Sequence, residues 1–166
     1  GPSGQLTLNV VGAQGYTVST IAGGGVTNGG TATAQTLPLM RDVARDSQGN
    51  VYIAAPAASR IYKVTPAGVI SIFAGNGIPG TSGDGGLAVN AQVLTVNSIA
   101  VDSSDNVYFV DSNGVRKIAT NGTITSVAGK GSTTVFTGQI AASFGGDGGP
   151  AAWAWFSAPG GLSFDS

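Results

Sequence analysis

The chain lacks several residue types on which enzymes and small secreted proteins depend. Its 166 residues contain no cysteine and no histidine, and all eight acidic residues are aspartate. Without cysteine there is no disulfide framework. Without histidine, cysteine or glutamate, the commonest metal ligand and the commonest general base are both missing, and no nucleophile with a neighbouring base can be assembled. We therefore expect a protein that is not an enzyme and uses no cofactor.

Charge and long apolar runs are also scarce. Only 9% of the residues are charged, and seven lysines and arginines leave a net charge of −1. This balance creates no field that would attract nucleic acid or an anionic membrane. No apolar run approaches the ~20 residues that a membrane span needs, and no signal peptide is visible. We expect neither nucleic acid nor membrane as a partner.

What the chain has is glycine, 28 residues of it, and an internal repeat. A short alternating run that ends in Ala-Gly occurs three times, with its alanines at Ala22, Ala74 and Ala128, so that the spacings are 52 (74 − 22) and 54 (128 − 74) residues. A run around Tyr52 recurs around Tyr108. Four such runs per period predict an all-β protein in which each unit is one blade of a β-propeller, made of four antiparallel strands.

Several spaced motifs in this order resemble the NHL-repeat family of β-propellers. The motifs are Asp102 to Tyr108, Arg116-Lys117-Ile118, Val127-Ala128-Gly129, Gly146-Asp147-Gly148-Gly149-Pro150-Ala151 and Pro159-Gly160-Gly161-Leu162. The chain is most similar to bacterial extracellular members with Gly-Asp-Gly-Gly turns. The resemblance implies an extracellular or cell-surface location, a bacterial source and a ring of about six blades.

The repeats divide the chain into an N-terminal tail, residues 1–15, and a propeller fragment, residues 16–166. Complete blades are expected at about 43–75 and 99–129, so the chain holds about three blades' worth of sequence. Residues 161–166 read as a first strand without its neighbours. In the tail, Leu6, Leu8 and Val10 alternate with polar residues, which predicts an extra strand.

Fewer than four blades do not normally close into a ring. Bare blade faces and unpaired strand edges recruit other chains. We therefore expect a homo-oligomer completed by association, either a closed dimer, which we favour, or a head-to-tail filament. The expected contact residues are Leu6, Leu8, Val10, Trp153, Trp155, Leu162 and Phe164.

The two tryptophans stand where sister units carry small or polar residues. Trp153 aligns with Asn90, and Trp155 aligns with Gln92. An exposed tryptophan usually meets a partner. We favour protein as that partner, with a sugar ring as the alternative. Asn121-Gly122-Thr123 fits the N-glycosylation pattern, but it also forms a hairpin turn, which explains it without a glycan.

The aspartates of the glycine turns, Asp84 and Asp147, are weak candidates for calcium ligands. The first repeat carries Asn28 in the same place, and asparagine shares the turn chemistry of aspartate without its charge. We therefore predict a structural turn without a metal, in which Asp84→Asn changes little.

Two further groups read as structural. Asp46 and Asp102 open hairpin turns, in which the asparagine four residues later would accept the positive φ. Lys63, Arg116 and Lys117 read as solvated strand positions, not as a nucleic-acid footprint. The function class that remains is a non-catalytic extracellular binding or scaffolding module that self-associates. The alternative is a fragment of an NHL-like enzyme or carbohydrate-binding propeller whose site lies in blades absent from these residues.

Overall fold

A computed structural model of the chain describes residues 28–34, 36–112, 114–129, 148–154, 156 and 159–165. The predictions for Leu6, Leu8, Val10, Asp147 and Trp155, and for the first Ala-Gly run at residues 18–23, lie outside these residues.

The described residues form two antiparallel sheets. The strands are β1 (Gly30–Thr31), β2 (Asp42–Arg45), β3 (Val51–Ala55), β4 (Arg60–Val64), β5 (Val69–Ala74), β6 (Val96–Val101), β7 (Val107–Asp111), β8 (Gly114–Ile118) and β9 (Ile124–Ala128). The first sheet has the order β1-β5-β4-β3-β2 and the second β6-β7-β8-β9. We call them blade 1 and blade 2. Short 3-10 turns are the only helical elements in the described part of the chain. The prediction of an all-β protein with four-stranded antiparallel blades is confirmed.

Alternation along the strands determines which side chains enter each core. In β3, Tyr52 and Ala54 face blade 2, while Ile53 and Ala55 pack in a separate cluster on the other face of blade 1. From blade 2, Ile99 and Phe109 enter the cluster between the blades. Successive residues of a strand point to opposite faces, so each blade has two apolar faces and can be packed on both sides.

The segments that begin at Asp46 and Asp102 are hairpin turns, as predicted, but their backbone geometry differs from the expectation. Asp46 Oδ1 accepts hydrogen bonds from the N–H groups of Gln48 and Asn50. Positive φ falls on the residue before the asparagine, at Gly49 (86°) and Asp105 (61°). The expectation that the asparagine takes this conformation was wrong, because Asn50 closes the hairpin: its carbonyl accepts from the N–H of Asp46 at 3.1 Å, and its side-chain amide donates to Asp46 Oδ2 at 2.7 Å.

The third unit is represented by a 3-10 turn, Ala151–Trp153, and by residues 159–165. The predicted first strand at residues 161–166 has no strand hydrogen-bond ladder over residues 161–165. A strand is defined by pairing with a neighbour, and no other strand in the described residues pairs with this segment. Its contacts nevertheless follow the pattern of the earlier units, as described below.

Candidate interaction sites

Two glycine turns, at residues 28–32 and 84–88, each cover the outer strand of the blade that follows. Around β9, the N–H of Gly85 donates to the carbonyl of Ile124 (2.8 Å), the carbonyl of Gly86 accepts from the N–H of Ile124 (3.0 Å), and the N–H of Ala88 donates to the carbonyl of Gly122 (2.9 Å). We call this arrangement, residues 84–88 on the edge of β9, the second clasp. It occupies backbone groups that an outer strand would otherwise leave unpaired, and unpaired edges are sites of aggregation.

The first clasp, residues 28–32, repeats these contacts on β5. The N–H of Gly29 donates to the carbonyl of Ile70 (2.8 Å), and the N–H of Ala32 donates to the carbonyl of Gly68 (2.7 Å). The side chain of Asn28 accepts from the N–H of Ile72 at 3.0 Å. The alignment of Asn28 with Asp84, drawn from spacing alone, therefore corresponds to the same structural position.

Asp84 makes more contacts than Asn28. Its Oδ1 accepts from Nε and Nη2 of Arg116 at 3.1 and 2.8 Å, and its Oδ2 accepts from the N–H and the hydroxyl of Ser126 at 2.9 and 2.5 Å. Burial acts to raise the pKa of Asp84, but the hydrogen bonds from Ser126 and Arg116 and the charge of Arg116 outweigh it, so the pKa lies below its ordinary value. Both oxygens are engaged by protein donors. In the described part of the chain, no group of three histidine, cysteine, aspartate or glutamate residues is placed to hold a metal ion.

Arg116 is buried, contrary to the expectation of a solvated position. Its Nη1 donates to Asp111 Oδ2 at 2.8 Å and to the carbonyl of Gln92 at 2.7 Å, and its Nη2 contacts the carbonyl of Ser82 at 3.2 Å. A buried guanidinium needs several acceptors, and the loop before blade 2 supplies them together with Asp111 of β7. Burial raises the pKa of Asp111, although Arg116 acts in the opposite direction.

The sequence contained a signal for this ion pair. Arg116 replaces Tyr62 of the first unit, and Asp84 replaces Asn28. An acid and a base thus appear together in one unit at two positions that are neutral in the other. Lys63 and Lys117 have a different environment from Arg116. Their ammonium groups lie over aromatic rings, 5.6 and 5.4 Å from the ring centres of Tyr52 and Tyr108.

A second repeated contact joins the inner strands of successive units. Asp42 Oδ2 accepts from the N–H of Ile99 and from the hydroxyl of Ser98, both at 2.9 Å. In turn, Ser98 Oγ accepts from the N–H of Leu162 at 3.2 Å. Because Ser98 stands in blade 2 where Asp42 stands in blade 1, residues 161–165 occupy the place of an inner strand of a third unit.

The residues predicted to make contacts differ in exposure. Trp153 is 69% exposed on its 3-10 turn, and Phe164 is 45% exposed and packs edge-on against Tyr108, with ring centres 4.9 Å apart. Leu162 is half-buried. Asn121 is exposed, and its side chain accepts from the N–H of Thr123 at 3.0 Å. The structure thus places Leu162 and Phe164 together beside blade 2, while Asn121 lies in the hairpin between β8 and β9.

No helix among the described residues is long and apolar enough to cross a membrane.

Comparison with known proteins identifies the repeats. A family profile for the teneurin NHL domain matches residues 77–144. Mouse (Mus musculus) Teneurin-3 is 38% identical over 52 residues, which make up 31% of this chain and 2% of Teneurin-3. A crystal structure of a protein of unknown function from Bacteroides thetaiotaomicron superposes with a TM-score of 0.56 at 29% identity, covering 70% of this chain and 28% of that one. The chain thus spans only a small part of the proteins that it matches.

Proposed function

Since the chain carries NHL-type β-propeller repeats, a relationship that the comparisons confirm, we propose that it is a non-catalytic binding or scaffolding module that self-associates through its blade faces. The repeats are of the type found in the NHL domain of teneurins. The proposal places the module outside the cell or at the cell surface, in a bacterium.

One comparison between equivalent residues carries this proposal. Ile99, in the inner strand of blade 2, is only 4% exposed because blade 1 packs against it. Val43 holds the same place in blade 1 and is 48% exposed. Met40 likewise is 38% exposed, where its counterpart Val96 is fully buried. The inner part of the face of blade 1 that carries Val43 and Met40 therefore has the apolar composition of a contact between blades. It is not buried by such a contact.

The opposite side of the pair of blades shows the complementary difference. Tyr52 is buried at 3% exposure against blade 2, whereas Tyr108, its counterpart in blade 2, is only partly buried, and Phe164 beside it stays exposed. The side of blade 2 that bears Tyr108 thus resembles the side of blade 1 that already binds a blade. Residues 161–165 of the third unit already lie on this side of blade 2, through Leu162 and Phe164. A contact between the third unit of one copy and the Val43 face of another would continue the stacking seen between blades 1 and 2.

Such a contact joins two different surfaces, so it is head-to-tail and closes into a ring only if the rotation allows it. Two copies would give about six blades, within the usual range for propellers. We propose the closed dimer. A filament forms instead if the rotation between two copies does not close the ring.

Sedimentation of the chain over a range of concentrations tests the proposal. We expect a dimer, and we expect Val43→Asp to weaken dimerisation by roughly tenfold or more, because the contact would lose a buried valine and gain a buried charge. Val89→Asp is the matched control, since Val89 is 41% exposed but lies on a 3-10 turn outside the blade faces. A chain that stays monomeric at every concentration, or equal effects of the two substitutions, would overturn the proposal.

A further inference from the structure

The sequence contains four Asn-Gly pairs, and three of them lie wholly within the described residues. These three are Asn28–Gly29, Asn76–Gly77 and Asn121–Gly122. An asparagine before glycine is prone to lose its side-chain amide, because a glycine without Cβ lets its nitrogen approach the asparagine side chain. All three asparagines are exposed, so exposure does not distinguish the pairs. The hydrogen bonds of the glycine nitrogens do.

The nitrogen of Gly77 is available for reaction. Its N–H forms no hydrogen bond within the described part of the chain. By contrast, the N–H of Gly29 donates to the carbonyl of Ile70, and the N–H of Gly122 donates to the carbonyl of Ala119, both at 2.8 Å. A backbone nitrogen must give up its proton before it can attack a carbonyl carbon, and these two hydrogen bonds oppose that step.

The side chain of Asn76 is polarised and held over the following peptide. Its Oδ1 accepts from the N–H of Ile78 at 2.8 Å, and its Nδ2 donates to the carbonyl of Asn90 at 3.2 Å. The bond from Ile78 draws electrons from Cγ, the atom that the nitrogen would attack. Asn121 has the same bond, from the N–H of Thr123 at 3.0 Å. Asn121 is therefore a matched control within the same chain.

Arg60 brings a positive charge to the peptide between Asn76 and Gly77. Its Nη2 donates to the carbonyl oxygen of Asn76 at 3.3 Å, and a Cβ on Gly77 would lie only 2.8 Å from that Nη2. Its Nε is buried and has no hydrogen-bond partner in the described residues. When Gly77 loses its proton, negative charge spreads over the nitrogen and oxygen of this peptide. The adjacent guanidinium stabilises that charge.

We propose that Asn76–Gly77 is a self-modification site, at which Asn76 becomes aspartate or isoaspartate without an enzyme and Arg60 promotes the first step. The Gly77 nitrogen loses its proton to hydroxide and forms a bond to Cγ of Asn76. The bond from Cγ to Nδ2 breaks, and Nδ2 takes a proton from water and leaves as ammonia. Water then opens the cyclic imide, at Cγ to give aspartate or at the backbone carbonyl carbon to give isoaspartate. This site does not depend on the proposed self-association.

Both products change the joint between blade 1 and the second clasp. Asn76 lies just after β5, and its side chain donates to Asn90 at the end of the 3-10 turn Ala88–Asn90. An ionised carboxylate cannot donate, so this hydrogen bond is lost. Isoaspartate also adds one carbon to the main chain. We expect the modified chain to hold this turn less firmly against the end of β5.

Peptide mapping by mass spectrometry tests the site. The folded chain would be incubated in mildly alkaline buffer, and conversion at Asn76 and Asn121 would be followed in the same samples. We expect Asn76 to convert at least about fivefold faster, the factor to which one backbone hydrogen bond corresponds. In chain unfolded by urea the two pairs should convert at similar rates, because the folded contacts that distinguish them are gone.

Two substitutions test the part played by the cation. Arg60→Gln should slow conversion at Asn76 severalfold and leave Asn121 unchanged. Arg60→Lys is the matched control, since it keeps the positive charge, and it should retain more of the rate than Arg60→Gln. An equal rate at Asn76 in the parent and in Arg60→Gln would overturn the role of Arg60.

The comparison within the parent chain decides the site itself. Equal rates at Asn76 and Asn121 in the folded chain, or a difference that persists in urea, would overturn the proposal. If Arg60→Gln unfolded the chain, conversion at Asn121 would rise as well, and the folded and unfolded parent would still give the answer.

Discussion

Asp84 and Arg116 form an ion pair of 2.8 Å between the glycine turn and the third strand of blade 2, and both positions are neutral in the preceding unit. The turn places the carboxylate beside the outer strand of blade 2. The third strand directs the guanidinium toward the turn. The pair therefore fastens the clasp to the blade that it covers. In blade 1, Asn28 and Tyr62 occupy these positions, and Tyr62 packs in the apolar cluster instead.

Asp84→Asn should destabilise the chain by about 1–3 kcal/mol, the usual cost of leaving a buried charged donor short of an acceptor. This replaces the expectation, drawn from Asn28 alone, that the substitution changes little. Urea unfolding would measure the loss. The matched control is the double variant Asp84→Asn with Arg116→Tyr, which installs the pair of the first unit and should recover part of the stability. A single variant as stable as the parent would show that the ion pair contributes nothing.

The same carboxylate predicts an acid-sensitive clasp. The pKa of Asp84 in the folded chain lies below its ordinary value of 3.8. The unfolded chain therefore binds the proton first as pH falls, and the stability that Asp84 provides is complete above about pH 5 and is lost as pH drops through the folded pKa. The difference in unfolding free energy between parent and Asp84→Asn should shrink below about pH 4. A difference that stays constant from pH 7 to pH 3 would contradict this.

The repeat predicted the blades well because its signals are local. Alternation of apolar residues and Ala-Gly run ends depend only on neighbours along the chain. The burial of Arg116 was missed because it depends on a loop more than twenty residues earlier that folds over the strand, with acceptors at Ser82, Asp84 and Gln92. The paired change of Asn28 to Asp84 and of Tyr62 to Arg116 was the available signal, and it becomes visible only when two aligned positions are compared together.

Blade ends were harder to predict than blade interiors. The sequence indicated a first strand at residues 161–166, and the structure places residues 161–165 beside β6 through Leu162 without a ladder. The sequence pattern shows that a segment is suited to form a strand. The hydrogen-bond ladder itself forms only where a partner strand is present.

Tyr52 and Tyr108 offer a matched pair of substitutions. The hydroxyl of Tyr52 donates to Asp46 at 3.0 Å, and burial together with this bond raises the pKa of Tyr52 well above its ordinary value. The hydroxyl of Tyr108 forms no hydrogen bond within the described residues. Tyr52→Phe should cost about 1 kcal/mol in thermal or urea unfolding, and Tyr108→Phe close to nothing. Equal losses would show that the Asp46 contact is not what distinguishes them.

Gly75 explains why the outer-strand runs end in Ala-Gly. Its φ is +88°, and a Cβ placed there would meet the carbonyl of Ser59 and the side chain of Val93. Gly68 has a similar φ of +77°, but a Cβ there would meet nothing within 4 Å. Gly68→Ala should therefore show only the backbone strain of about 1 kcal/mol, and Gly75→Ala should cost at least about 2 kcal/mol more. Melting temperatures of the two variants would measure this difference. Similar values would refute the close contact at Gly75.

The bond between the inner strands leads to the last prediction. Asp42 accepts from Ile99, and Ser98 makes the equivalent bond to Leu162 with a hydroxyl instead of a carboxylate. A hydroxyl is therefore sufficient at this position. Asp42→Ser should retain most of the stability of the chain, whereas Asp42→Ala should lose about 1–3 kcal/mol, because it leaves the N–H of Ile99 without its acceptor between two packed blades. Chemical unfolding of both variants measures this, and hydrogen exchange at Ile99 gives a local readout, with faster exchange expected only in Asp42→Ala. If Ile99 exchanges equally slowly in both variants, the carboxylate is not what protects it, and packing alone joins the two blades.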